Sequence, residues 1–206
     1  MQPFLASFAG TAVEFFETAV IAYAIARAGY PREALSALVI GHVAVFAGAV
    51  LLLPLQGMLP VFWLRLLAAL LLTAMGLHWT LKSLRRLRAH QRPHWVDDPL
   101  GEVGVVPAHA AGRAFSPWVF LVMAKSSVVE AGEILLVVFP IAAATGAWPQ
   151  VLFGVAAGIV AVLLAAWTLH GRLKRIPEVK LKLGAGLLLL ALGVLWLAEA
   201  WRDYTA

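Results

Sequence analysis

Thr11, Glu14 and Glu17 stand at positions i, i+3 and i+6, and Ser127, Glu130 and Glu133 repeat that spacing later in the chain. On a helix this pattern sets a hydroxyl and two carboxylates broadly on one side. Both phrases lie inside long apolar runs, deeper than any other acidic residue. Carboxylates in lipid-spanning segments are expensive and mark a functional site by default. Carboxylate and hydroxyl oxygens are hard ligands that suit Ca²⁺, Mg²⁺ and Mn²⁺ and accept iron. Four close carboxylates in a low dielectric cannot all stay ionised. As a coupled set, some hold protons when no cation is bound. Cation entry would release those protons, so the expected chemistry is binding of a divalent cation in exchange for H⁺, with no permanently held cofactor.

Two basic side chains could modify such a site. Lys125 lies five residues before Glu130 in the same apolar run. It could neutralise one carboxylate or reach for the interface; the ion pair is the expectation. His42 sits mid-way along the second apolar run and could relay a proton, add a ligand or serve packing alone. No nucleophile, base and oxyanion donor cluster near the carboxylates, so an enzyme is not expected. Hydrogen bonding of the four glutamates across a helix interface is the bland reading. Their duplication together with their hydroxyls weighs against it.

The elements that must position these residues are membrane helices. Of 206 residues, 62% are hydrophobic and 13% charged, whereas soluble domains run near half and a quarter. There is no cysteine, which removes disulfides, thiolate metal sites and thiol nucleophiles. The net charge of +5 sits beside the apolar runs, which fits membrane topology better than a nucleic-acid surface. A span needs about 20 apolar residues. Six are expected, over roughly 4–27, 33–55, 60–81, 117–144, 150–170 and 177–200, separated by Gly29-Tyr30-Pro31, the segment from Pro54 to Pro60, Gly146-Ala147-Trp148-Pro149 and Pro177. The first residues lack the basic region of a cleaved signal peptide, so the first run is expected to be retained as a span.

The halves repeat. At an offset of 116, Phe4-Leu5 matches Phe120-Leu121, and Val13, Glu14 and Glu17 match Val129, Glu130 and Glu133. At an offset of 117, Gly41 matches Gly158, Pro60 matches Pro177, Gly76 matches Gly193, and Trp79 matches Trp196. Three spans per repeat force the second copy to enter the membrane from the opposite side, which makes an inverted repeat. The expected organisation is a first three-helix repeat over 1–81, a cytoplasmic linker loop over 82–116, and a second repeat over 117–206. The fold class is all-α, polytopic, with six transmembrane helices. An inverted pair of repeats brings span 1 and span 4 together near mid-membrane, where the two Glu pairs would face one site.

One side of the membrane receives nearly all the Lys and Arg, from Arg27 and Arg32 through the run Lys82–Arg92 to Lys180 and Lys182; the other receives Arg65 and Arg202. Positive loops stay inside, so both termini are expected outside a cytoplasmic membrane. Trp63, Trp79, Trp118, Trp148, Trp167 and Trp196 fall near span ends, as an interfacial belt would. Gly154-x-x-x-Gly158 is a close-packing pattern, expected within the chain, with a homodimer seam as the other use. Pro140, past the second Glu pair, is expected to kink or end its helix. The loop histidines His90, His94 and His109, with Asp97, Asp98 and Glu102, could bind a metal. A solvated linker is the expectation.

At the two acidic phrases the chain resembles the oxidase-linked iron permeases, whose signature is Arg-Glu-x-x-Glu. It also resembles the manganese/calcium cation–proton exchangers, whose signature is Glu-hydrophobic-Gly-Asp-Lys/Arg-Thr/Ser, twice in three-span inverted repeats. Both look like members of a lysine-exporter-like superfamily, and the whole chain is similar to uncharacterised bacterial six-span membrane proteins. The permease arginine is replaced by Val13 and Val129. Glu14 and Glu130 match the exchanger acid, and Glu17 and Glu133 stand where its Asp would be. Gly132 matches only in the second copy, Phe16 replacing it in the first, and Thr18 and Ile134 replace the basic residue. The resemblance implies a carrier of Mn, Fe or Ca in a bacterial inner membrane, whose partners are lipid, the metal ion and protons. Transport of another small solute, or a membrane subunit holding a partner helix, are the alternatives.

Overall fold

The computed structural model describes residues 1–58, 60–93, 98, 100–101, 104–105, 115–169 and 176–205. His94, Asp97, Glu102 and His109 lie outside the described residues. Six helices are long and apolar enough to cross a membrane. They are α1 (Gln2–Arg27), α2 (Pro31–Val50), α3 (Val61–Arg88), α4 (Pro117–Thr145), α5 (Trp148–Leu169) and α6 (Glu178–Thr205). A backbone in lipid must satisfy its own polar groups, and the helix does so within one segment.

The helix ends follow local chemistry. Pro31 and Pro117 occupy first-turn positions, where a missing N–H costs nothing. The N–H of Val119 donates to Ser116 Oγ at 3.4 Å, capping α4. The backbone N–H of Ser116 donates to Glu33 Oε1 at 2.7 Å, tying the start of α4 to the start of α2. Gly146 closes α4 at φ 67°, a left-handed turn that favours glycine. Three expectations needed adjustment. Helix α3 runs on to Arg88, into the segment expected to be linker. The second span stops at Val50, before Pro54, and a separate helical turn follows at Leu53–Gln56. Helix α4 runs on through Pro140 to Thr145, so this proline does not end it.

The packing is two-fold. Helix α1 lies along α5, α2 along α4, and α3 along α6, while α1 and α4 meet at the centre. Exchanging α1 with α4, α2 with α5 and α3 with α6 maps these pairings onto themselves. The glycines carry this symmetry to the residue level. A Cβ on Gly41 would meet Ser127 and Ala124, and one on Gly158 would meet Thr11 and Phe8, the same positions one repeat apart. Gly76 abuts Leu190, and Gly193 abuts Thr73, again equivalent pairs. Six long apolar helices thus form an all-α membrane bundle of two interacting three-helix halves. Gly154 and Gly158 pack against α1 of the same chain.

Helix α1 is the most enclosed span, with 67% of its apolar stretch buried against 28% for α3 and α5. The Glu14–Glu17 phrase is therefore carried by the innermost element. Trp63, Trp118 and Trp167 are exposed on the outside of the bundle, but Trp79 and Trp196 are buried. The belt expectation fails for these two because the α3–α6 glycine contacts draw the helices together around them.

Candidate functional site

Helices α1 and α4 build the site jointly. The carboxylates of Glu14, Glu130 and Glu133 each offer an oxygen within 4.8 Å of the others. Glu14 is 0% exposed, while Glu130 and Glu133 are half-buried. Three acids drawn from two helices that cross at the centre could hold one cation by oxygen ligation. Glu17 is buried but stands apart from this trio.

What separates Glu17 is Lys182 of α6. Its Nζ donates to Glu17 Oε1 at 2.7 Å. The same nitrogen lies 3.1 Å from Glu14 Oε1, an ion pair without hydrogen-bond alignment. It also stands 5.2 Å from the ring centre of Trp79, within the range where an aromatic face attracts a cation. Lys182 is one of the basic residues expected to set topology, yet it is only 7% exposed. Lys125, the expected partner of Glu130, is exposed and makes no ion pair with it. The ammonium of this site comes from another helix than the one expected.

The supporting residues fall as follows. Thr11 and Ser127 are fully buried, and neither hydroxyl has a hydrogen-bond partner. Thr80 of α3 shares this state, but most helical hydroxyls do not. Ser7, Thr18, Thr73 and Thr145 all donate to the carbonyl four residues back, the ordinary outlet for a helical hydroxyl. Buried polar atoms are normally satisfied, so orphaned oxygens one turn before each acidic pair suit a ligand set. His42 is buried, with Nδ1 2.9 Å from the Leu38 carbonyl oxygen. A carbonyl only accepts, so Nδ1 donates and Nε2 of the neutral ring is left as a partnerless acceptor. Its ring stands edge-on to Phe15 at 5.2 Å, on the α1–α2 contact.

The two ends of the bundle differ. A cavity of about 400 Å³ is lined by Glu17 together with Phe16, Ile176, Glu178, Lys180 and Gly184. It links the acidic region with the beginning of α6. At that end Arg92 donates to both Glu178 oxygens, at 2.9 and 2.6 Å, fixing the segment after α3 to the α6 N-terminus. A second cavity of about 310 Å³, polar in its lining, lies at the end holding both termini, among Gln2, Arg65, Thr145, Trp196 and Glu199. Between it and the trio, Val137 packs on Gly10 and Ile141 is buried.

No protein-family model, curated protein or solved structure matches the chain. The likeness to iron permeases and cation–proton exchangers therefore rests on motif and architecture alone.

Lys182 and Trp79 are the members of the site that sequence reasoning passed over. Two signals were available. Val179, Lys182, Ala185, Leu189, Leu192 and Trp196 are spaced as one helical stripe, and all are buried. The repeat also pairs Lys182 with Arg65, a basic residue within the opposite half's third span.

Proposed function

We propose that this chain is a carrier, rather than an enzyme, that moves a divalent metal cation across the membrane through the Glu14–Glu130–Glu133 trio. The observation that carries the reading is the convergence of three carboxylates from two crossing helices inside a membrane bundle. Orphaned Thr11 and Ser127 hydroxyls precede both acidic pairs. Hard oxygen ligands favour Mn²⁺, Fe²⁺ or Ca²⁺ over softer ions. A conducting site must replace hydration without holding the ion permanently.

Proton coupling belongs to the same proposal. The acids would exchange protons for the ion, since their mutual repulsion grows in a low dielectric. The basic residues at the ends of α1 and α3 and the starts of α2 and α6 support a cytoplasmic placement of that end. The termini then face outward, and the Glu17-lined cavity opens toward the cytoplasm.

The test is flux into liposomes containing the purified protein. Mn²⁺, Fe²⁺, Ca²⁺ and Zn²⁺ are offered with and without a pH gradient, beside Glu130→Gln. Flux of one ion, driven by the gradient and lost in the variant, is the expected result. Normal flux in Glu130→Gln would remove the trio from the mechanism. No flux of any ion from folded protein would transfer the reading to another small solute or to a subunit that holds a partner helix.

A further inference from the structure

One positive charge already stands beside the acids, the Lys182 ammonium. Lys182 Nζ is shared by Glu17 at 2.7 Å and Glu14 at 3.1 Å, and Trp79 lies beneath it. Glu14 is therefore claimed twice. It belongs to the ammonium, and it belongs to the trio with Glu130 and Glu133. One Glu14 oxygen faces Lys182, and the Glu14 carboxyl also shares a side-chain hydrogen bond with Glu130. A divalent ion drawn to the trio and the Lys182 ammonium would stand on the same carboxylate. They repel each other while competing for it.

Resting on the cation reading above, we propose that Lys182 is a tethered counter-cation that shares Glu14 with the transported ion. The ion gains Glu14 only as Nζ withdraws toward Glu17 and Trp79. Lys182 is thus a positioning residue that keeps affinity low enough for release. The chemistry suits this task. An ammonium is a compact point charge on a flexible four-carbon stem, so it can change partners without moving its helix. The alternative partners are already beside it: Glu17 accepts its hydrogen bond, and the Trp79 face receives its charge. The stem leaves α6 one turn after Glu178, where Arg92 fixes the helix start. The anchor is firm and the tip is mobile. A lysine held only for charge neutralisation would need one acid, and would not take the residue that also belongs to the ligand trio.

The experiment measures equilibrium Mn²⁺ binding to the full chain in nanodiscs, for wild type, Lys182→Met, Lys182→Arg and Glu130→Gln. Lys182→Met is expected to bind Mn²⁺ at least about tenfold more tightly, because a competing charge has gone. Its flux in liposomes falls as release slows. Lys182→Arg, which keeps the charge, stays close to wild type in affinity. A second readout uses wild type alone and does not depend on a variant folding. Acetylation of the Lys182 amine, followed by mass spectrometry, should change in rate severalfold when Mn²⁺ is bound, because Nζ leaves Glu14 and then stands beside a divalent charge. Mn²⁺ binding that is lost in Glu130→Gln but unchanged in Lys182→Met would overturn the lysine proposal and leave the carrier reading standing. So would an acetylation rate indifferent to bound Mn²⁺. Binding of none of Mn²⁺, Fe²⁺ and Ca²⁺, in wild type or in Lys182→Met, would overturn both.

Discussion

The two acidic pairs occupy equivalent places in the repeat and do not have equivalent surroundings. Glu14 and Glu17 are buried and share the Lys182 ammonium. Glu130 and Glu133, 116 residues later, are half-buried and form no ion pair among the described residues. The repeat counterpart of Lys182 is Arg65, which lines the polar cavity at the opposite end with Trp196 and Glu199. The backbone scaffold is nevertheless symmetric, down to which residue each glycine touches. A duplicated framework of packing glycines can therefore hold two unlike halves of one site. The half without an ammonium has no counter-charge of its own, and the other has one ammonium for its two carboxyl groups.

The largest expected effect comes from the one acid common to both arrangements. Glu14→Gln should lower Mn²⁺ flux by at least about 100-fold, equivalent to about 2.7 kcal/mol of barrier. Glu130→Gln and Glu133→Gln should follow closely, since each removes one of three ligands. Glu17→Gln should lose only about tenfold, or about 1.4 kcal/mol, because Glu17 holds the ammonium and stands outside the trio. Initial rates in liposomes give the ranking. Should Glu17→Gln prove as damaging as Glu14→Gln, the two pairs would be four equal ligands, and the contrast between the halves would be lost.

The symmetric scaffold can be broken separately from the site. A Cβ on Gly76 would collide with the Leu190 backbone, and one on Gly193 with the backbone and hydroxyl of Thr73. Helix α3 cannot then keep its approach to α6. Each alanine should destabilise the bundle by about 1–3 kcal/mol, the usual cost of overpacking. Gly132, between the second pair of acids, has nothing within 4 Å of such an atom, so Gly132→Ala should melt like wild type. Thermal unfolding in detergent compares the three. A Gly132 variant as unstable as the Gly76 variant would mean that the acidic helix, too, is held by close contact.

A subtler pair is Thr11→Val and Ser127→Ala. Neither hydroxyl makes a hydrogen bond that the protein would lose, so stability should stay within about 0.5 kcal/mol of wild type. If the hydroxyls serve the ion, the flux KM should rise about three- to tenfold, since one neutral ligand is worth about 0.5–1.5 kcal/mol. Unchanged KM with raised stability would assign both to the α1–α5 and α2–α4 contacts instead.

Most of the fold was legible because a span in lipid leaves the chain few options. Length, apolarity and Pro or Gly punctuation located α1, α4, α5 and α6 within a few residues. The repeat was legible through Glu, Pro, Gly and Trp, residues that apolar sequence does not scatter at random. The acids were legible because burying them is costly. What failed was the assignment of charges near span ends. Lys180 and Lys182 are two residues apart, but a helix turns 100° per residue, so the first faces outward and the second inward. Counting both as loop charges ignored that rotation. Trp79 and Trp196 were misassigned for a related reason. Position along the span was read as depth, while the face of the helix decided burial.

The smallest effect is expected where the sequence offered the more obvious lysine. Lys125 shares a helix with Glu130, but the two are five residues apart, which on an α-helix places them on different faces. Its side chain is accordingly exposed, and a lysine there can carry its charge toward the interface on its aliphatic stem. Lys125→Ala should leave Mn²⁺ affinity and flux within about twofold of wild type, the range left to a distant exposed charge. Lys182→Met should change both by an order of magnitude in opposite directions. Measuring the two variants side by side isolates geometry from charge, because each removes one positive charge from the chain. An equal response would mean that the acids answer to the summed field of the bundle rather than to the one ammonium in contact with them.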